Sequence, residues 1–340
     1  MRSKFKSFLK LPGGGEINRC YYPLRLDTYG RGCYHDCLYC YSKSCLDFRK
    51  MWDRENPAVA DPIEIERVIE NGYTGKGKYA HLIAQKLPLR LGGMTDCFTP
   101  IDKETGVTRA TIRLLNKHNH PYLILTKNSL VQEYADILDP DLAYVQLTIT
   151  TPYDDISAIY EPYASPTSER LKTCRYLTDM GFNVAVRINP LFPKYPDGHY
   201  AQDGQQGMFG DKGEFRYFDW SLVERIAEAG ASTVIAGFLR LSSWNIKWIK
   251  EKTHRDLTYL FNPDTRQANQ ALHFGIEEKR YYYERIKAMC DSMGLDFSVC
   301  YDGDEAYETF RYLWANQNDC CNGIGKVKGF TTTYDNQDKH

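Results

Sequence analysis

Between Gly30 and Tyr41 the chain reads GRGCYHDCLYCY, which sets Cys33, Cys37 and Cys40 in a C-x3-C-x2-C array. Three thiolates this close in sequence can wrap one small inorganic centre. A [4Fe–4S] cube held by only three cysteines leaves one iron without a protein ligand. That iron can bind substrate, as an open coordination position does in catalytic metal sites generally. Two blander readings compete: a zinc site completed by Cys45 or His35, and buried thiols without chemistry. Zinc ligands usually come as two separated pairs, and three cysteines in one short loop do not arise easily by chance.

The elements around the array say what would position it. A strand over Leu24–Tyr29 runs into the cysteine loop, and apolar strands then alternate with helical patterns. Strands are expected at Leu87–Met94, Pro121–Thr126, Ala143–Thr150, Phe182–Ile188 and Ser232–Leu239. Helices are expected at Thr108–His118, Leu130–Leu138, Pro166–Met180 and Trp220–Ala229. Ser165 is the expected N-cap of the third, with Gly181 and Gly230 as stops. Such alternation implies a parallel sheet with helices outside it. Six units suit a partial βα barrel, whose functional groups gather at the C-terminal strand ends; a doubly wound open sheet is the alternative.

The expected organisation is a basic segment over 1–23, a core over 24–240, a mainly helical extension over 241–325 with one strand at Leu295–Cys300, and a disordered tail over 326–340. The glycine-rich loop Leu191–Asp219 is long enough to be a lid or binding loop.

Composition narrows the function classes. The 340 residues carry 43 Lys plus Arg against 44 Asp plus Glu, a net charge of -1 that excludes a globally basic nucleic-acid binder. The distribution is skewed, because residues 1–50 hold ten basic and four acidic side chains. No run of 18 apolar residues occurs, so no membrane partner is expected. The basic N-terminus lacks an apolar signal region, which points to a cytoplasmic chain. In a reducing compartment eleven cysteines read as ligands, reactive thiols or buried small hydrophobes.

The array, with the aromatic Tyr39 directly before its last cysteine, resembles the radical S-adenosylmethionine superfamily. Within it the sequence is most similar to spore photoproduct lyase and the DNA-repair-photolyase-like group. The segments that carry this are RGCYHDCLYCY, GGMTD (92–96), ILTKN (124–128), QLTIT (146–150), VRINP (186–190) and FLRLS (238–242). The resemblance implies an α/β fold, a partial (β/α)6 TIM-like barrel with a mainly helical C-terminal extension. It also implies a [4Fe–4S] cluster and S-adenosylmethionine as cofactors, reductive cleavage to a 5′-deoxyadenosyl radical, and an electron donor such as flavodoxin or ferredoxin. By similarity Cys33, Cys37 and Cys40 are the cluster ligands and Tyr39 lies near the adenine. Thr95 is a candidate for the cofactor's amino group, Lys127 for its carboxylate, and Thr148 and Arg187 for carboxylate or ribose. Without the resemblance, Lys127 and Arg187 read as strand-end charges paired with a neighbouring helix, and Thr148 as an inward-facing core residue.

Tyr39 and Tyr41 flank the third cysteine as tyrosines do in the lyase, where one is thought to relay a hydrogen atom. The sequence departs from the lyase where that enzyme carries its hydrogen-donating cysteine: here stands Met94, which has no S–H. Cys97, three residues on, is the candidate replacement. Cys290, Cys300, Cys320 and Cys321 could supply a second centre, a hydrogen-donating thiol or only packing. Trp244–Lys252 and Lys279–Lys287 interleave bases with aromatics and could contact phosphates and stacked bases. The leading reading is lesion-cleaving, lyase-like repair or related modification of a nucleic-acid base, with DNA or another nucleic acid as partner. The alternatives are radical modification of a peptide or small metabolite, and a non-catalytic nucleic-acid-binding module with a structural metal.

Overall fold

A computed structural model describes residues 5–10, 22–47, 49–192, 217–254, 256–261, 271–300, 308–317 and 319–330. In the first third of the chain lie β1 (Phe8–Lys10), β2 (Leu24–Leu26), β3 (Tyr29–Gly30), α1 (Tyr41–Asp47), β4 (Ala58–Val59), α2 (Pro62–Tyr73), α3 (Ala80–Ala84), β5 (Leu89–Leu91), α4 (Asp102–Thr105) and α5 (Val107–Lys117). The middle holds β6 (Tyr122–Thr126), β7 (Ala143–Thr148), α6 (Asp154–Tyr160), α7 (Thr167–Asp179), β8 (Val184–Leu191), α8 (Ser221–Glu228) and β9 (Thr233–Phe238). The last part adds α9 (Ser243–Thr253), α10 (Ile276–Ser292) and β10 (Asp296–Val299).

Eight strands make one sheet in the order β1-β2-β5-β6-β7-β8-β9-β10. The six strands expected from sequence, β2 and β5 to β9, pair in parallel and form the partial barrel. Two further strands extend it: β10 pairs parallel with β9, and β1 pairs antiparallel with β2. Among the described residues no ladder joins β1 to β10, so the sheet is open there. β6, β7 and β9 are near-continuous apolar runs buried on both faces, as strands between helices and a filled interior must be. The α5 periodicity turns Thr108, Thr111, Ile112 and Leu115 onto the sheet.

Three local expectations give way to tertiary contacts. The strand expected over Leu24–Tyr29 breaks at Asp27, whose Oδ1 accepts from the amides of Gly93, Met94 and Thr95 at 2.8–3.3 Å. The chain therefore leaves the sheet and pairs as β3 with β4. The helix expected over Leu130–Leu138 is a 3₁₀ segment, Ser129–Tyr134, capped by Asn128. Ser165 does not cap α7; its hydroxyl bridges the Ser129 amide and Asn128 Oδ1 instead, and Pro166 stands at the N-cap.

The described stretch up to Phe330 packs on the core. Val327 and Phe330 are buried although they fall in the expected tail, and the Gly329 amide donates to Asp141 O. Residues 331–340 and most of the glycine-rich loop lie outside the described residues. No described helix is long and apolar enough to cross a membrane.

Candidate radical site at the cysteine loop

The loop is launched by the β3–β4 ladder at a place only glycine can occupy. A Cβ on Gly32 would fall 1.7 Å from the Asp53 carbonyl oxygen, because the Asp53 amide reaches back to Arg31 O. Beyond it the backbone turns at Asp36, with φ of 50°, and the Cys40 amide donates to Cys37 O. The Leu38 amide donates to Tyr160 O at the end of α6, fixing the loop's midpoint to the barrel.

From the C-terminal extension, Asn245 on α9 donates through Nδ2 to Leu38 O at 3.0 Å and to Cys40 O at 3.2 Å. Its Oδ1 accepts from the Ser242 amide and hydroxyl, so the whole buried amide is used. From the other side, His35 Nε2 meets Asp96 Oδ2 at 2.8 Å. That carboxylate also accepts from the Thr126 hydroxyl and from the Phe98 and Lys127 amides. Burial opposes the Asp96 charge, but His35 and these donors hold its pKa below the usual value.

Burial pushes the thiols up: Cys33 to about 12, helped by Asp96 and Cys40, and Cys37 well above the ordinary range. Cys40 rises less, because the Lys43 amide, 3.4 Å from its sulfur, and the Lys127 ammonium oppose burial. Metal loading therefore has to displace protons from this loop. Three thiols on one short loop suit a cluster that leaves one iron open better than a lone zinc, whose ligands usually come as two separated pairs.

Tyr39 is buried, and its hydroxyl donates to Glu161 in a short hydrogen bond. Glu161 in turn pairs with Arg170 at 2.6 Å, both without solvent exposure. Arg170 also donates to Thr148 O and Ser157 Oγ, each at 2.6 Å. Lys127, at the end of β6, puts Nζ 5.7 Å from the centroid of the Tyr39 ring. Burial works against its charge, yet Cys37 and Glu161 hold its pKa above the ordinary lysine value. Lys127, Tyr39 and the thiols of Cys37 and Cys40 thus share one end of the parallel sheet.

The other sequence candidates are placed differently. Thr95 is buried and donates its hydroxyl to Tyr29 O at 2.5 Å. Thr148 is buried on β7 opposite Arg187 on β8. The Arg187 guanidinium is occupied by Gln146 Oε1 at 2.9 Å, Cys300 Sγ at 2.8 Å and Cys321 Sγ at 3.6 Å. Tyr41 opens α1, is 55% exposed, and donates to Gly93 O at 2.8 Å. Cys97 is only 1% exposed, and burial together with Asp96 and Asp102 drives its thiol pKa well up. Among the described residues no hydrogen bond joins Cys97 to Tyr41.

Of the two basic–aromatic stretches, the one on α10 is packed away in part: Lys279, Tyr282 and Tyr283 are buried and Lys287 pairs with Asp291, whereas Tyr281 is exposed and Arg285 lies over the Trp220 ring. The one on α9 lies beside the loop, where Lys43 covers the Trp248 ring at 4.7 Å. Sequence reasoning missed Asp96, Glu161, Arg170 and Asn245. Only Asp96 carried a signal, its place in GGMTD.

Several solved structures share this fold. A double-mutant spore photoproduct lyase with bound AdoMet and dinucleoside spore photoproduct superposes with a TM-score of 0.61 at 16% identity, covering 88% of this chain and 79% of that one. A second lyase structure, complexed with dinucleoside spore photoproduct, gives 0.59 at 15%, with the same coverage. SuiB of Streptococcus suis bound to S-adenosylmethionine gives 0.50 at 11%, covering 87% of this chain and 54% of its own. ORF301 of Acidianus two-tailed virus is 34% identical over 74 residues, so the match spans about a quarter of that curated relative's length. The Radical SAM superfamily model matches residues 28–203, just over half of the 340. The chain therefore belongs to the radical SAM superfamily, whose enzymes work with a [4Fe–4S] cluster and S-adenosylmethionine.

Proposed function

We propose that this enzyme generates its radical at the Cys33–Cys37–Cys40 loop and directs it at a nucleic-acid base, in lyase-like repair or a related modification. The observation that carries the radical site is the convergence of these thiols with Lys127 and Tyr39 at one end of the parallel strands. When bound, the cluster supplies an electron to the sulfonium of S-adenosylmethionine and thereby a hydrogen-abstracting radical. The chain's own part is to bind and orient. Cys33, Cys37 and Cys40 would hold the cluster, and Lys127 is the cation available for the cofactor carboxylate, as a compact point charge. Tyr39, pinned by Glu161, gives a fixed ring for the adenine. Thr95, whose hydroxyl is tied to Tyr29 O, and Thr148, on β7, are both buried. Arg187 is engaged by Gln146 and two sulfurs, which favours Lys127 for the carboxylate.

The surface around the loop supports a base-bearing substrate. Tyr163, whose amide reaches His35 O, is 43% exposed and carries the Arg54 guanidinium 3.9 Å above its ring. With Tyr41 and the 39% exposed Trp244 it offers ring faces and cations next to the site, the combination on which bases stack. The lyase structures of this fold hold a dinucleoside photoproduct, which agrees with that reading. A reducing protein such as flavodoxin or ferredoxin would supply the electron.

The test is an anaerobic assay with dithionite that follows 5′-deoxyadenosine with irradiated DNA, undamaged DNA or neither. Stimulation by damaged DNA alone supports repair, and indifference to every nucleic acid rejects the substrate. Replacing any of Cys33, Cys37 or Cys40 by Ala should abolish iron incorporation and turnover together. Full activity in any one of the three would overturn the site.

A further inference from the structure

A second group of metal-capable ligands lies inside the barrel, built from the chain beyond residue 203. Asp319, Cys320 and Cys321 present three ligand atoms within 4.8 Å of one another, all buried. The turn is held in place from several sides: Tyr144 donates to Cys321 O at 2.9 Å, and Asn322 Nδ2 donates to Thr233 Oγ1 and Asp296 Oδ2. Asp319 Oδ2 is filled by Tyr22 and by the Gly323 and Ile324 amides, whereas among the described residues Oδ1 accepts only the Cys321 amide.

Two observations outside the turn point to a ligand there. The first is Arg187. It is 5% exposed, its partners are two sulfurs and an amide oxygen, and among the described residues no carboxylate pairs with it. A buried guanidinium cannot deprotonate and needs negative charge nearby. The second is Gln146, fully buried, whose Oε1 accepts from the same Arg187 nitrogen that faces Cys321. Among the described residues its Nε2 has no hydrogen-bond partner, so a buried donor lies unused on the side chain that meets Arg187.

We propose that Asp319, Cys320 and Cys321 bind one divalent thiophilic ion of the Zn2+ class, separate from the cysteine loop. Two thiolates and a carboxylate around a dication leave one negative charge, which the Arg187 guanidinium cancels, so the buried unit is neutral. Binding displaces the two thiol protons to solvent; no bond to carbon changes and nothing is oxidised or reduced. Arg187 donates to the Cys321 sulfur from outside, and a water in the fourth position gives Gln146 Nε2 its missing acceptor. Two sulfurs and one oxygen suit Zn2+ rather than Mg2+ or Ca2+, which take oxygen ligands.

The experiment uses the full chain in two forms: wild type with its loop loaded anaerobically with iron and sulfide, and the C33A/C37A/C40A variant. Each is incubated with Zn2+, desalted and measured for metal; the loop variant is also titrated with Co2+. We expect about one retained Zn2+ in both forms and thiolate-to-cobalt charge-transfer absorption in the variant. Cys321→Ser and Asp319→Asn, made in the wild type, should each lower Zn2+ affinity by about tenfold or more and leave loop iron unchanged. Asp319→Asn keeps an acceptor for the turn and serves if Cys321→Ser does not fold. Zn2+ below about a tenth of an equivalent, retention unaffected by both substitutions, or cobalt bands without thiolate character would each overturn the site. Extra iron and sulfide in place of Zn2+ would overturn the ion class. Loss of iron from the wild-type loop with Zn2+ retained would refute the radical-site reading and leave this one standing.

Discussion

Replacing Glu161 by Gln tests whether the buried pair behind Tyr39 holds the site together. Glu161 Oε1 takes the Tyr39 and Thr150 hydroxyls, and Oε2 takes Ser157 and Arg170. Burial disfavours its charge, but Arg170 and Lys127 hold its pKa below the usual carboxylate value. Gln keeps the shape and one acceptor while removing the charge and turning an N–H₂ toward the Arg170 Nη2 donor. Arg170 is then a fully buried cation without its counter-charge, a loss of about 3–5 kcal/mol. Urea unfolding of the metal-free chain reads this as a lower midpoint at unchanged slope. Combining Glu161→Gln with Arg170→Met should recover a large part of the loss, because the stranded charge is gone. In enzyme with normal iron, Glu161→Gln should also raise KM for S-adenosylmethionine, since Tyr39 and Lys127 lose their shared anchor. A stability change below about 1 kcal/mol, or a double variant whose loss is the sum of the two singles, would refute the reasoning.

Three further outcomes follow from the geometry. Asn245→Ala removes both donors to the loop carbonyls, whereas Ser242→Ala disturbs only the α9 cap. The first should alter the electron paramagnetic resonance spectrum of the reduced cluster and the second should not; identical spectra would show that Asn245 is only a helix cap. His120 is held neutral, its pKa lowered to about 4 mainly by burial, with Nε2 donating to Leu87 O and Nδ1 accepting from Tyr73. Its folded pKa lies below the unfolded value, so its contribution is complete above about pH 6.5 and shrinks by about 3 kcal/mol as pH falls to about 4. His120→Gln should flatten that part of the pH–stability curve, and equal slopes would contradict it. Cys97→Ala should cost about 1 kcal/mol of stability and leave deuterium return from the cofactor to product unchanged, since the thiol is sealed in the core. Loss of that return would restore Cys97 as a hydrogen donor.

What the sequence by itself determined is what short range encodes. The spacing of Cys33, Cys37 and Cys40 lies within one loop, and alternating strand and helix periods gave six parallel strands in the right order. Both survive because they depend on residues only a few positions apart. The same reading placed one strand through Asp27 and a helix over Leu130–Leu138, where a carboxylate and an asparagine answered to distant or non-helical partners. Tertiary structure alone decided the rest of the site. Tyr39 meets Glu161 across 122 positions, Asn245 meets the loop across 205 and 207, and Arg187 meets Cys300 and Cys321 across 113 and 134. No periodicity or motif carries such pairings. They arise when a parallel sheet brings successive strand ends side by side and the chain's last segment returns to fill the space between them. Buried charges and amides there must find partners wherever the fold offers them. That requirement gives Arg187, a strand-end candidate for the cofactor, its partners in Gln146, Cys300 and Cys321.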